Sequence, residues 1–173
     1  MLEAAILVVF PFSMLHAAIS DMLSMTIVNR VSLVLIGTFA IVAPLTGMGT
    51  QELLMHVAAF ALVLSVCFGL FAMGAMGGGD AKLLAATSLW FGLGLNLMEY
   101  LLVSSVIGGA LTLSILKYRS STVSVFAGRF EFLRRIGDPK EKIPYGIALG
   151  LGGLITFPDS WMGQWVVHRL AGS

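Results

Sequence analysis

The sequence predicts an all-α membrane protein: a bundle of about six transmembrane helices, with an interfacial amphipathic helix in the last cytoplasmic loop. Three observations predict it. Of 173 residues, 58% are hydrophobic and only 11% charged, a balance foreign to a soluble domain. Long apolar runs recur along the chain at lengths that cross a bilayer, for which about 20 apolar residues suffice and slightly fewer still serve. The basic residues fall in alternate connections between those runs. The length suits one domain spanning residues 1–173. A net charge of +1 gives no global attraction to nucleic acid.

The first run, about residues 4–20, contains Pro11, which a membrane helix tolerates as a kink. Met1-Leu2-Glu3 lacks the basic segment of a secretory signal, so this run is expected to be retained as a span. It ends at Ser20-Asp21, before a mildly polar stretch from Ser24 to Arg30. The second run, about 31–47, ends near Pro44 and Gly47, and Met48 to Glu52 leads to a third, about 53–75. Cys67 lies inside the third run and reads as a small packed hydrophobe, since a single thiol makes no internal disulfide. The fourth run, about 81–97, is interrupted by Gly92 and Gly94, and Asn96 and Glu99 mark the next turn. A fifth run covers about 100–117 and a sixth about 143–160, opening at Ile143-Pro144-Tyr145-Gly146. Proline is tolerated in a first helical turn. Gly146 and Gly150, four apart, suit close helix–helix contact. The tail from Trp161 is too short to span.

Connections one and three hold Arg30 and Lys82, and connection five holds Lys117, Arg119, Arg129, Arg134, Arg135, Lys140 and Lys142. Connections two and four carry only Glu52 and Glu99. The odd connections are therefore expected to face the cytoplasm, with both termini outside and Asp21 and Asp80 on one side. Within connection five, Phe126, Phe130, Leu133 and Ile136 recur at helical spacing, with arginines offset from them. That pattern predicts a helix in the headgroup region in contact with membrane lipid, the alternative being a solvated loop with incidental aromatics.

The most polar stretch beside a span is Met76-Gly77-Gly78-Gly79-Asp80-Ala81-Lys82. Three glycines can end one helix and start another at an odd angle. A carboxylate within a span costs about 2.5–3.5 kcal/mol at the helix centre, so an acid placed at a span reads as functional. If the first and fourth helices pack side by side, Asp21 and Asp80 converge, and two close carboxylates share a proton. The ionised member activates a water, while the protonated one polarises a carbonyl and later donates to the leaving amine. Other readings stay open at this level. Asp21 could be a surface charge at a helix end, the glycines packing residues, and Lys82 a topology signal, a partner of Asp80 or a base for an acidic group of a substrate. His16, His56 and His168 have no metal-ligand spacing, and no metal or cofactor is expected. Glu3, Glu52, Glu99 and Asp159 fall at the outer ends of the runs as solvated groups.

These residues carry a family likeness. Gly77-Gly78-Gly79-Asp80 fits the Gly-x-Gly-Asp signature of membrane aspartyl proteases, and the longer stretch through Ala86 resembles the type IV prepilin peptidase family. Ala18-Ile19-Ser20-Asp21 followed by Asn29-Arg30, and Pro144-Tyr145-Gly146-Ile147-Ala148, resemble two further motifs of that family. The absence of an N-terminal cytosolic segment is similar to the short peptidases of tight-adherence (Flp) pilus systems. The resemblance implies a multi-pass protein of the bacterial inner membrane, with Asp21 and Asp80 as catalytic pair. It implies cleavage of prepilin leader peptides on the cytoplasmic side, ahead of the pilin's apolar helix. Gly77, Gly78 and Gly79 would then approach the substrate backbone, and Lys82 would meet the glutamate that family substrates carry after the cut. Met22-Leu23-Ser24 and Val28 depart from the family, which has basic residues and a proline at those places. The cysteine-rich segment of methylating members is missing, so no methylation is expected. Rival expectations are a small transporter, whose acids would lie near mid-membrane, and an inactive scaffold for pilus assembly.

Overall fold

A computed structural model of the protein describes residues 1–121, 136–138 and 143–172. Among them are seven helices and no strand: α1 (Leu2–Ser24), α2 (Asn29–Leu45), α3 (Thr50–Ala72), α4 (Gly78–Phe91), α5 (Leu95–Arg119), α6 (Tyr145–Thr156) and α7 (Trp161–Ala171). A 3-10 turn, Phe157–Asp159, joins the last two. The interfacial helix expected across Phe126, Phe130 and Leu133 lies outside the described residues.

Contacts along their length give the directions of the first six helices. Asn29 of α2 meets Lys82 near the start of α4, and Leu35 meets Trp90 near its end, so α2 and α4 run parallel. His56, early in α3, meets Leu89, late in α4, so those two are antiparallel. Asp21 at the end of α1 meets Gly146 at the start of α6, and Phe10 early in α1 meets Trp90 late in α4. Tyr145 at the start of α6 meets Thr112 in the second half of α5, while Gly152 lies over Ser104 in its first half. Hence α1, α3 and α5 point one way, and α2, α4 and α6 the other.

Three of these, α1, α3 and α5, are long and apolar enough to cross a membrane, and α2 is a shorter apolar helix of 17 residues. By contrast, α4 and α6 have 14 and 12 residues, or roughly 21 and 18 Å at 1.5 Å per residue. For α4 the surroundings explain the brevity. Helix α4 is the centre of the bundle, with Ala81, Leu83 and every residue from Ala85 to Phe91 buried, and packs on α2, α3 and α6. A helix surrounded by protein has no need to match the lipid thickness.

The core is aromatic toward the end of α4. Phe10 stacks on Phe157 at 4.3 Å and tilts against Trp90 at 5.1 Å, while Phe91 stacks on Tyr100 at 4.8 Å. Trp90 is fully buried, and its indole N–H donates to Leu35 O at 3.1 Å. An aromatic N–H taken out of water needs such a partner. Cys67 is buried as a small hydrophobe.

Helix boundaries differ from the sequence expectation at α4 and α5. The fourth run is expected to begin at about residue 81, with Asp80 at or near its first turn; α4 has Asp80 in that turn but begins earlier, at Gly78, so two of the glycines are helical. Helical glycine costs about 1 kcal/mol relative to alanine, and close packing on both residues offsets it. Gly92, at φ +70°, ends the helix five residues before the expected boundary, and α5 starts at Leu95, so Asn96 and Glu99 are helical rather than turn residues. Gly92 also lies against the His56 ring, whose Nδ1 is 2.7 Å from Leu89 O at the end of α4. The tail, expected to be too short to span, forms α7. Its start is capped by Ser160, whose Oγ accepts from Gly163 N–H at 3.1 Å.

Candidate active site

Asp21 lies in the last turn of α1 and is only 5% exposed. Its Oδ2 accepts a hydrogen bond from the backbone N–H of Gly146 at 2.6 Å. Gly146 is the second residue of α6, and N–H groups in a helix's first turn have no partner within the helix. The acid of one helix therefore caps the start of another.

The chain builds this contact with small residues. A Cβ on Gly146 would lie 2.8 Å from both Cβ and Oδ2 of Asp21, closer than real side chains approach. One turn on, a Cβ on Gly150 would lie 2.7 Å from Met14 O, and one on Gly153 would meet the Met14 sulfur at 2.9 Å. Gly146, Gly150 and Gly153 thus let α6 lie directly on α1, as small residues do between membrane helices.

Beyond Asp21 the chain reverses through Met25, which takes a left-handed conformation at φ 54° and donates its N–H to Asp21 O at 2.8 Å. Such a conformation costs roughly 1–2 kcal/mol for a residue with a side chain. A polar knot holds it: Ser20 Oγ donates to Thr26 O at 2.9 Å, and Ser24 Oγ to Ser20 O at 2.7 Å. The reversal delivers Ile27, which is buried, to a point between α4 and α6. A Cβ on Gly79 would meet Ile27 Cβ at 3.2 Å, and one on Gly146 would meet Ile27 Cδ1 at 2.8 Å.

Asp80 occupies the third position of α4 and is half-buried. Its Oδ2 folds back over Gly77, the residue before the helix, at 2.6 Å from where a Cβ there would stand. The carboxylate lines a cavity of about 550 Å³ with Leu70, Met76, Gly77, Arg119, Tyr145 and Leu149 among its walls. Tyr145 immediately precedes Gly146. Both acids therefore sit at one end of the bundle, beside the start of α6, with Ile27 wedged near both.

The other candidates separate. Gly77 shares the cavity with Asp80, whereas Gly78 packs on the Phe71 ring and Gly79 on Ile27. Lys82 lies two positions beyond Asp80, about 200° round the helix at 100° per residue. Its Nζ donates to Asn29 Oδ1 at 3.0 Å, in a separate crevice of about 300 Å³ between α2, α3 and α4. No group of three or more His, Cys, Asp or Glu able to hold a metal occurs among the described residues.

Two participants were missed by sequence reasoning. Arg119 counted there only as a topology signal, yet it lines the Asp80 cavity, with Nε donating to Ile136 O at 2.7 Å. Gly146 was read as a helix-contact residue, not as the partner of Asp21. A usable signal existed: Pro144 marks a helix start, and a helix start with glycine at its second position offers bare N–H groups to an acid.

Comparisons with curated proteins and with solved structures gave no match. A family model described as the type IV leader peptidase family matches residues 8–113, more than half of the chain and inclusive of both aspartates. With its apolar helices and its peptidase kinship, the chain is a membrane protein that belongs to the type IV leader peptidase family.

Proposed function

We propose that this peptidase is an aspartyl endopeptidase of the bacterial inner membrane. It removes leader peptides from Flp-type prepilins at the cytoplasmic face, with Asp21 and Asp80 as its catalytic pair. The observation that carries the reading is the joint placement of the two acids beside the start of α6, Asp21 bonded to Gly146 N–H and Asp80 facing the cavity walled by Tyr145. In this reading the pair holds one proton between its members. The ionised carboxylate takes a proton from water as it attacks the scissile carbonyl. The protonated one polarises that carbonyl and passes its proton to the leaving nitrogen. The Gly146 N–H fixes one Asp21 oxygen, leaving the other to face the reaction.

All six helices α1–α6 would cross the bilayer, the short α4 and α6 within a wall of longer neighbours. Arg30, Lys82, Lys117 and Arg119 gather at the end holding the acids, and Glu3, Glu52, Glu99 and Asp159 at the other, which supports a cytoplasmic site. That location also weighs against a transporter, whose acids would lie midway. Arg119, within the cavity, is better placed than Lys82 to meet an acidic group of the substrate.

The test is to incubate the purified protein with Flp-type prepilins and locate any cut by mass spectrometry. A single cut between the polar leader and the apolar helix is expected. Intact precursor, or cuts scattered through the chain, would overturn the reading.

A further inference from the structure

Between α3 and α5 runs a groove of about 610 Å³ that reaches α4 at Leu84. Leu62, Val66 and Leu70 of α3, Leu84 of α4 and Met98 and Leu101 of α5 are among its walls, and no charged side chain among the described residues lines it. The two long helices do not close over it, because α3 packs on α4 while α5 packs on α6. Leu62, Val66 and Met98 remain 54%, 56% and 66% exposed. The groove adjoins the cavity of Asp80. Leu70 and Met76 belong both to its walls and to those of the cavity that holds Asp80.

We infer that this groove seats the apolar helix of the peptide substrate and feeds the polar segment preceding that helix to Asp80. The inference rests on the leader-peptidase reading and adds the docking surface to it. A lipid chain would satisfy the groove but gains nothing from an adjoining cavity that holds a carboxylate. A peptide with a polar stretch joined directly to an apolar helix matches both compartments and the junction between them. The junction falls at Leu70 and Met76, immediately before the glycines that bring Asp80 into position. An apolar helix laid in an apolar groove is a recurring mode of peptide recognition. Within a membrane, its specificity comes from close packing rather than from water exclusion.

The test uses single cysteines in a Cys67→Ala background in liposomes: Val66→Cys and Met98→Cys in the groove, and Val8→Cys on the exposed face of α1. The probe is a synthetic peptide with a short polar leader, about 20 apolar residues and one cysteine within the apolar part. Disulfide adducts at positions 66 and 98 are expected at least about ten times more often than at position 8, as for a seated rather than a diffusing helix. Equal yields at all three positions would mean lipid alone fills the groove and would overturn the docking site. Cleavage of the same peptide by the unaltered protein is read separately. Adducts concentrated in the groove without cleavage would leave the docking site standing and remove the peptidase reading; cleavage with uniform adducts would do the reverse. As a second arm, Val66→Trp should raise KM for this peptide by about five-fold or more and leave unaffected a shorter peptide that keeps the leader and the cleavage site but ends a few residues after the cut. Equal effects on both peptides, or none on either, would count against the groove.

Discussion

At Gly146 the absence of a side chain lets the Asp21 carboxylate reach the first turn of α6. Adding a methyl there meets Asp21 and Ile27 at 2.8 Å and must push the acid away from its N–H donor. Gly146→Ala is expected to lower kcat at least about ten-fold, since a misplacement of about 1 Å can cost a hundred-fold. Stability should fall by about 1–3 kcal/mol, as for overpacking. Gly109→Ala is the matched control: nothing lies within 4 Å of a Cβ there, so activity should hold and the helix should gain about 0.5–1 kcal/mol. Cleavage assays beside thermal unfolding in detergent check both, and an unchanged kcat in Gly146→Ala would remove the capping contact from the account. At this scale the sequence was partly legible. Asp21 and Asp80 stand out because a carboxylate beside a span is costly. Gly146 and Arg119 do not, because their significance lies in what the fold brings next to them.

The helices themselves were readable from hydropathy, and their ends were not. Run length cannot reveal that α4 is enclosed by protein, nor that Phe71 and Ile27 pack closely enough to let a helix begin on two glycines. Lys82 illustrates the consequence. In a linear reading it neighbours Asp80. On the helix it turns to α2, where Nζ bonds Asn29 Oδ1. Lys82→Met should therefore act through the α2–α4 pairing, lowering stability by less than about 1 kcal/mol because the pair is exposed. Its effect on cleavage should be the same for a prepilin carrying the glutamate after the cut as for one with glutamine there. A loss confined to the glutamate substrate, in parallel rate measurements, would restore Lys82 as a substrate contact.

For the molecule as a whole, alternate placement of lysine and arginine foretold that Asp21 and Asp80 share one end, and the alternating helix directions place them there. The count of crossings is less direct, since three helices among the described residues have span length. In intact cells, Ser121→Cys should resist a membrane-impermeant maleimide while Gln51→Cys, at the opposite end, reacts. The reverse pattern would invert the proposed topology. The central claim, that two acids act as one catalytic unit, is tested most directly by rates of prepilin cleavage for Asp21→Asn, Asp80→Asn and the double variant. Members of a catalytic unit are strongly non-additive, so each single change should cost about a thousand-fold or more and the double change no more than either alone. Near-normal cleavage by either single variant, in protein that still inserts and folds, would contradict the account.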